Sequence, residues 1–518
     1  MRPRPWQPPH ELAPQEEQIV RRIKRAKLFI FLRQQRHRIF DAAFQEELAA
    51  CYRDSTEGQP PIPPAQLALA TVLQAYTGVS DDEVIEAVVM DRRWQLVLDC
   101  LDCARAPFSK GTLVGFRERL IAQDLDRRLI ERTVEIAEQT QGFGPRQIRA
   151  ALDSSPLWGA GRVEDTLNLV GHALRKALGV LARQQGRELP AVAQEAGAAL
   201  LTQSSLKAAL DRDWDDPAAL PAALAQVLGA LEQVEAYVAS QGATPQVRES
   251  LGVAHAVVAQ DVEQHADGAL ALRHGVAKER RISVEDGAMR HGRKSRSQLI
   301  DGYKRHVLHD LDSALVRAVG LTPANVPEAS VTEDIEADLA PQEVEVGELH
   351  IDRAYLSSAL VRERGPHMQV ICRAWPVQQG AYYSKAAFHL DWEQGLLRCP
   401  GGHQMPFAPG GTVHFPAAVC AACPLRAACT DSARGRSVNI HPDERLLTEL
   451  RERQATPQGR AALRERVQVE HTLAHIGHWQ GDRARYLGQR KNLFDLRRMA
   501  VVHNLHVLAR LPDLAQAA

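Results

Sequence analysis

A chain of 518 residues is too long for one hydrophobic core and predicts about three domains. Lys plus Arg (63) nearly balances Asp plus Glu (64), so a preference for a charged partner has to come from local patches. The opening residues lack a charged segment followed by an apolar one, no apolar run approaches membrane-spanning length, and eight cysteines are too few for a disulfide scaffold, which leaves a cytosolic globular chain with no membrane role as the expectation.

Residues 10 to 142 read as helical. After the Pro-rich break "QPPIPP" (Gln59 to Pro64), the run "AQLALATVLQAYTG" stops at Gly78, and "SDDE" (Ser80 to Glu83) makes a capping box for the next helix. A turn at "APFSKGT" leads into "LVGFRERLIAQ"; the spacing suits helix-turn-helix packing, and a compact bundle would look the same. In "RQIRAALDSSPLW" (Arg146 to Trp158), Ile148, Ala150 and Leu152 alternate as in a strand that ends at Asp153.

From about Glu164 to Val276 the chain is rich in Ala, Leu and Gln and reads as a second helical block, structural or in contact with a partner. "YKRHVLHD" (Tyr303 to Asp310), the turn "LDSA" and "LVRAVGLTPAN" then form a hairpin. "VEVGELHID" is the next strand, ending at Asp352, and "HMQVICRA" (His367 to Ala374) is another. Near the end, "PQGRAALRERVQVEHTLAHIGHW" has helical periodicity, with Leu463, Val467, Glu470, Leu473 and Ala474 on one face.

Charge is uneven along the chain. "RRIKRAKLFIFLRQQRHR" (Arg21 to Arg38), "RHGRKSRSQLIDGYKRH" (Arg290 to His306) and "RARYLGQRKNLFDLRR" (Arg483 to Arg498) are basic, whereas Glu328 to Glu348 contains no Lys or Arg. Any one of these runs could be a solvated helix face, but three of them favour a nucleic-acid surface.

Asp153, Asp352 and Glu470 fall where apolar patterning predicts full or partial burial. A buried carboxylate needs a cation, and Arg466, one helical turn before Glu470, is the local candidate for that acid. Three such acids on separate elements offer hard oxygen ligands to Mg²⁺ or Mn²⁺. Two ions roughly 4 Å apart can activate a water or a 3′ hydroxyl and stabilise the leaving oxygen in phosphoryl transfer. Asp310 is a rival for the second acid, although a hairpin turn favours Asp for local reasons.

The segments "LDSSPLWGAGRVEDT", "MRHGRKSRSQLIDGYKRHVLHDLDSALVRAVGLTPANVPEAS", "LHIDRAYLSS" and "RERVQVEHTLAHIGHWQGDRARYLGQRKN" together resemble the DDE transposases of bacterial insertion sequences. "GVSDDE" and "FRERL" are similar to the helical domain that precedes their core. The resemblance implies an α/β chain with an RNase H-like catalytic core and Asp153, Asp352 and Glu470 as its catalytic and metal-binding acids. It implies DNA contacts from Arg293, Lys294, Arg296, Tyr303, Lys304, His306, Arg466, Arg485, Tyr486 and Lys491. Two positions depart from the family pattern: Leu463 stands where a tyrosine is frequent, and Gly477 where a lysine is frequent.

In this reading 1–142 is an N-terminal helical domain for DNA ends, 143–163 the first core strand, 164–285 a helical insertion, 286–375 the continued core, 376–440 a cysteine-rich insertion and 441–518 the catalytic helix and C-terminal end. Cys399, Cys420-x-x-Cys423 and Cys429 suit a closed structural Zn²⁺ site, with His403 as an alternative ligand and a set of reduced thiols as the bland alternative. Some of these transposases carry a similar cysteine-bearing insertion. Cys100 and Cys103, in an apolar helical run, read as core packing, and His471, His475 and His478 as DNA-facing or surface residues.

The expected function is cleavage and joining of DNA at terminal inverted repeats and a target. A homodimer or larger synaptic complex would act in the bacterial cytoplasm at the nucleoid. A metal-dependent nuclease of the same fold and a catalytically silent DNA-binding derivative are the alternatives.

Overall fold

The computed structural model describes residues 2–515 apart from 55–57, 142–146, 204, 267, 276, 278, 295–297 and 378. Eight helices occupy 14–141, and their ends follow the residues that signal them. Pro64 opens the Pro64–Thr77 helix, Gly78 closes it in the left-handed region at φ 73°, and Ser80 and Glu83 cap the following helix reciprocally. Because Pro64–Thr77 is apolar nearly all round, it is buried at every position from Pro64 to Ala75 and forms the centre of this bundle.

Strand β1 (Gln147–Trp158) continues past Asp153, which corrects the expected end there. The extension exists because Ser154, Ser155, Pro156 and Leu157 lie opposite His306, Arg305, Lys304 and Tyr303 of a neighbouring strand, a long-range partner that "SSP" does not announce. Helices spanning 166–261 then form a separate apolar cluster around Leu174, Val192, Leu224, Val234 and Val257. A ribbon of β2 (Val262–Gln264) and β3 (Leu270–Leu272) follows them.

The chain re-enters the main sheet with β4 (Arg290–Arg293), β5 (Leu299–Asp310), β6 (Val316–Pro323), β7 (Glu345–Ile351) and β8 (Gln369–Ile371). The order is β6-β5-β1-β7-β8, with β4 beside β6 on the same edge of β5. Strand β5 is antiparallel to both its neighbours, β6 and β1, whereas β1, β7 and β8 run parallel. Alternation splits the sheet into two faces. Ala151 and Val307 pack towards the N-terminal helices and the helices Val467–Gln480 and Gln489–Leu508, while Leu152 and Leu308 pack towards Ile335, Leu339 and Tyr355. The N-terminal bundle therefore shares one hydrophobic core with the sheet.

The periodic stretch after Pro457 is two helices, Pro457–Glu465 and Val467–Gln480, which meet at Arg466. The second buries Val469, Thr472, Leu473, Ile476 and Gln480, leaving Val467, Glu470 and Ala474 exposed. The apolar face expected to contain Glu470 is thus corrected: the sheet receives Val469 and Ile476, and Glu470 stands on the open side. Residues 389–439 carry β9 (His389–Asp391), β10 (Leu396–Arg398) and β11 (Gln404–Pro406) in one small sheet, and β12 (Thr412–His414) and β13 (Ser437–Asn439) in a ribbon. Among the described residues no helix is long and apolar enough to cross a membrane.

Candidate active site

The parallel β1–β7 ladder is paired up to Leu152 and Ile351, so the next residues, Asp153 and Asp352, leave the ladder on adjacent strands. Asp153 and Val307 are opposite each other in β1 and β5, on the face covered by the Val467–Gln480 helix. That helix brings Glu470, and all three acids line one open cleft of 660 Å³. A second cleft of 210 Å³ shares Asp352, Arg466 and Glu470 with it and adds Arg353, Arg373 and Arg464. Those three arginines escaped the sequence reading because they lie outside its basic runs.

The acids differ in environment. Asp352 is exposed at the start of a short turn after β7. Asp153 is largely buried, which pushes its carboxyl above the usual range against the pull of Arg466. One oxygen accepts from the Ser154 backbone N–H at 2.8 Å, and the other accepts from Arg466. Arg466 also donates to Glu470 Oε1 at 2.7 Å, so a single guanidinium bridges strand and helix. Asp310, the rival acid, is buried and held by Arg317 at 2.9 and 3.1 Å and by the backbone of Asp312 and Ser313, a structural turn outside the cleft.

Of the residues expected to touch DNA, Lys294 lines the cleft and donates to the Ser154 carbonyl at 3.4 Å. Arg293 and Lys491 are exposed, and Arg296 lies outside the described residues. Tyr303, Lys304 and His306 are buried, which corrects their expected role. Tyr303 donates to Asp286 at 2.7 Å and Lys304 to the Val326 carbonyl at 3.0 Å. His306 bonds Tyr355 at 2.8 Å and Thr322 at 3.0 Å, and burial pushes its pKa down to about 3. Lys304 and His306 are on the face opposite Asp153, whereas Arg305 between them shares the Asp153 face and lines the cleft. Arg485 donates to the Val79 carbonyl, and Tyr486 lies under Arg117 and Arg498. Both therefore tie the C-terminal segment to the N-terminal bundle. His475, expected on a surface, packs inward against His503 and Trp479.

Cys399, Cys420, Cys423 and Cys429 are free thiols lining one small cavity together with His403. Sγ atoms of Cys423 and Cys399 lie 2.9 and 3.7 Å from the point where a Cβ on Gly401 would stand, so only glycine leaves them room there. Among the described residues no group of three or more His, Cys, Asp or Glu side chains forms a ready-made metal cluster. What the two places supply is donor chemistry: carboxylate oxygens in the cleft, which fit a hard divalent ion, and thiols in the cavity, which fit a soft one.

Two family profiles match the chain: a transposase DDE domain over residues 398–509, and a transposase domain (DUF772) over residues 17–119. The first spans the cysteine segment, Arg466 and Glu470; Asp153 and Asp352 lie outside both. No curated protein and no solved structure matches.

Proposed function

The chain belongs to the DDE transposases of insertion sequences, and from that premise we propose that its acid-lined cleft binds the element's DNA ends and carries out metal-dependent strand cleavage and strand transfer. The observation that carries this reading is the convergence of Asp153, Asp352 and Glu470 from two neighbouring strands and a helix on one cleft. An RNase H-like core is supported by the strand order and directions: an antiparallel β6-β5-β1 triplet is extended by parallel β7 and β8.

Asp153, Asp352 and Glu470 would hold Mg²⁺ or Mn²⁺, which when bound supplies Lewis-acid activation of the attacking oxygen and neutralises charge on the leaving one. The chain's own groups do the positioning. Arg466 bridges two like-charged carboxylates, offsetting part of their repulsion, and fixes the start of the helix against β1. Lys294 in the larger cleft, with Arg373 and Arg464 in the smaller, offers cations to backbone phosphates on either side of the acids. The N-terminal bundle would add end recognition, the four cysteines would clip their segment through Zn²⁺, and pairing of two ends would call for at least a dimer at the nucleoid.

The test uses DNA flanking the gene, carrying its terminal inverted repeats, as labelled substrate with Mg²⁺ or Mn²⁺. Cleavage and joining by wild type, lost in Asp352→Asn, is the expected result. Binding without cleavage by either protein would leave a DNA-binding relic, and cleavage without joining a nuclease.

A further inference from the structure

Arg305 is 4% exposed, yet it lines the cleft that holds the three acids. Its Nε donates to Ser155 Oγ at 2.7 Å, and its Nη1 donates to Gln480 Oε1 at 2.9 Å and the Gly481 carbonyl at 3.0 Å. All three acceptors are neutral. Arg33, Arg117, Arg317, Arg497 and Arg498, comparably buried, each have a carboxylate partner, whereas Arg305 forms no ion pair among the described residues, a situation it shares with Arg436, which lies in the cysteine segment and not in this cleft. An arginine stays charged at any ordinary pH, so this cation has been taken from water and held in place without a direct ion pair, Asp482 and Asp495 acting on it only at a distance.

Its remaining nitrogen indicates where that anion belongs. Nη2 has no hydrogen-bond partner among the described residues and lies 3.1 Å from the point where a Cβ on Gly477 would stand. Gly477 is in the last turn of the Val467–Gln480 helix and lines the same cleft. Glycine there costs helix stability, and what it leaves free is the space beside the guanidinium. A cleft with four carboxylates, Asp482 being the fourth, repels a phosphodiester unless fixed cations flank them. Arg305 is such a cation, held by three hydrogen bonds and therefore ordered before any ligand arrives.

We infer that Arg305 is a phosphate-binding residue of the cleft, its Nη2 taking a non-bridging oxygen of the bound DNA strand through the gap left by Gly477. The inference rests on the reading of this cleft as the DNA-holding site. The helix would thus contribute an absence and the strand the charge.

The experiment measures binding of labelled terminal-repeat DNA by the full chain against salt concentration, alongside cleavage and thermal midpoint. Arg305→Gln should reduce the log–log salt slope by about 1 and lower cleavage, with Arg305→Lys intermediate. Adding Gly477→Lys to Arg305→Gln, which places a cation in the same gap from the opposite wall, should restore the slope. Gly477→Ala separates contact from folding: alanine favours the helix, so the midpoint should hold or rise, while the displaced guanidinium weakens binding. A wild-type slope and affinity in Arg305→Gln, with only the midpoint lowered, would make Arg305 structural and overturn the inference while Asp352→Asn still reports on the cleft. Failure of the wild type itself to bind these ends would remove the functional reading and this inference with it.

Discussion

Asp153 and Asp352 are the first residues beyond Leu152 and Ile351, the last pair of the parallel β1–β7 ladder, so two carboxylates on adjacent strands emerge at the same level of the sheet. Nothing in the core calls for Asp352, which is exposed. Asp352→Asn should therefore change folding stability by no more than about 0.5 kcal/mol. Its effect on cleavage should exceed the roughly 10- to 100-fold expected when only an outer-shell partner of a metal site is lost, with DNA binding preserved. Urea melts and single-turnover cleavage of labelled ends measure the two quantities, and a parallel fall in both would contradict the separation.

Arg466 sets the protonation of Asp153. Burial raises that carboxyl, and the guanidinium is the strongest influence in the opposite direction, with Glu470 adding repulsion. Replacing Arg466 with Met removes the opposing charge, so the Asp153 carboxyl should rise further. Since an ion binds only the carboxylate form, the acid limb of the cleavage profile should move to higher pH. An unshifted acid limb in Arg466→Met would show that Asp153 does not limit activity.

The physical legibility of these features differed from one element to the next. Caps were readable because Ser80, Glu83 and Gly78 act within a few residues of themselves. Asp352 was readable because β7 alternates up to it. The role of β5 was not, since every residue from Tyr303 to Asp310 is buried and the two-residue alternation that would separate its faces is erased. Lys304 and His306 drew notice through the family resemblance, and Arg305, the one on the face of Asp153, did not. Glu470 was singled out through an apolar stripe that the structure rotates away from it, although the residue does line the cleft.

The junction of the N-terminal bundle with the sheet depends on Arg497. This side chain donates to Asp124 at 2.6 Å, Asp126 at 3.1 Å and Asp338 at 2.9 Å, joining three segments distant in sequence. Asp126 is fully buried, and burial raises the Asp338 carboxyl to about 6 even against this partner. Arg497→Met leaves three carboxylates without this partner, the buried Asp126 retaining only Arg490, and should cost about 3–5 kcal/mol, read from the urea midpoint. A loss below about 1 kcal/mol, the range of surface pairs, would show that the network is not structural.

Acid sensitivity should come from buried histidines. His309 and His503 are 3% and 7% exposed, and burial lowers each to about 4. Their unfolded value is about 6.5, so the unfolded chain binds protons that the folded chain refuses. The stability they provide is complete above that value and is lost as pH falls towards 4, by roughly 1 kcal/mol per histidine per pH unit. Asp338 acts in the opposite sense below about 6, so the informative quantity is a difference between proteins. His503→Gln should flatten the fall in urea midpoint between neutral and mildly acid pH; an unchanged fall would exclude this residue as its source.

The cysteine-lined cavity lies in a segment whose apolar cluster rests on Phe388, Leu397, Val413, Phe415, Val438 and Ile440. So small a core rarely supplies more than about 3–5 kcal/mol, and segments of this size usually need a metal or a disulfide. The thiols around the cavity are free, and burial raises the Cys429 thiol. A thiol raised in this way is a poor isolated anion, but a soft cation would hold all four sulphurs as thiolates and close the segment around them. Purified protein should thus contain about one zinc per chain. Cys423→Ser should lose most of it and expose 376–440 to protease while the sheet stays protected. Zinc-free wild type that resists protease as well as the variant does would show that the small core suffices alone, leaving the thiols as packing.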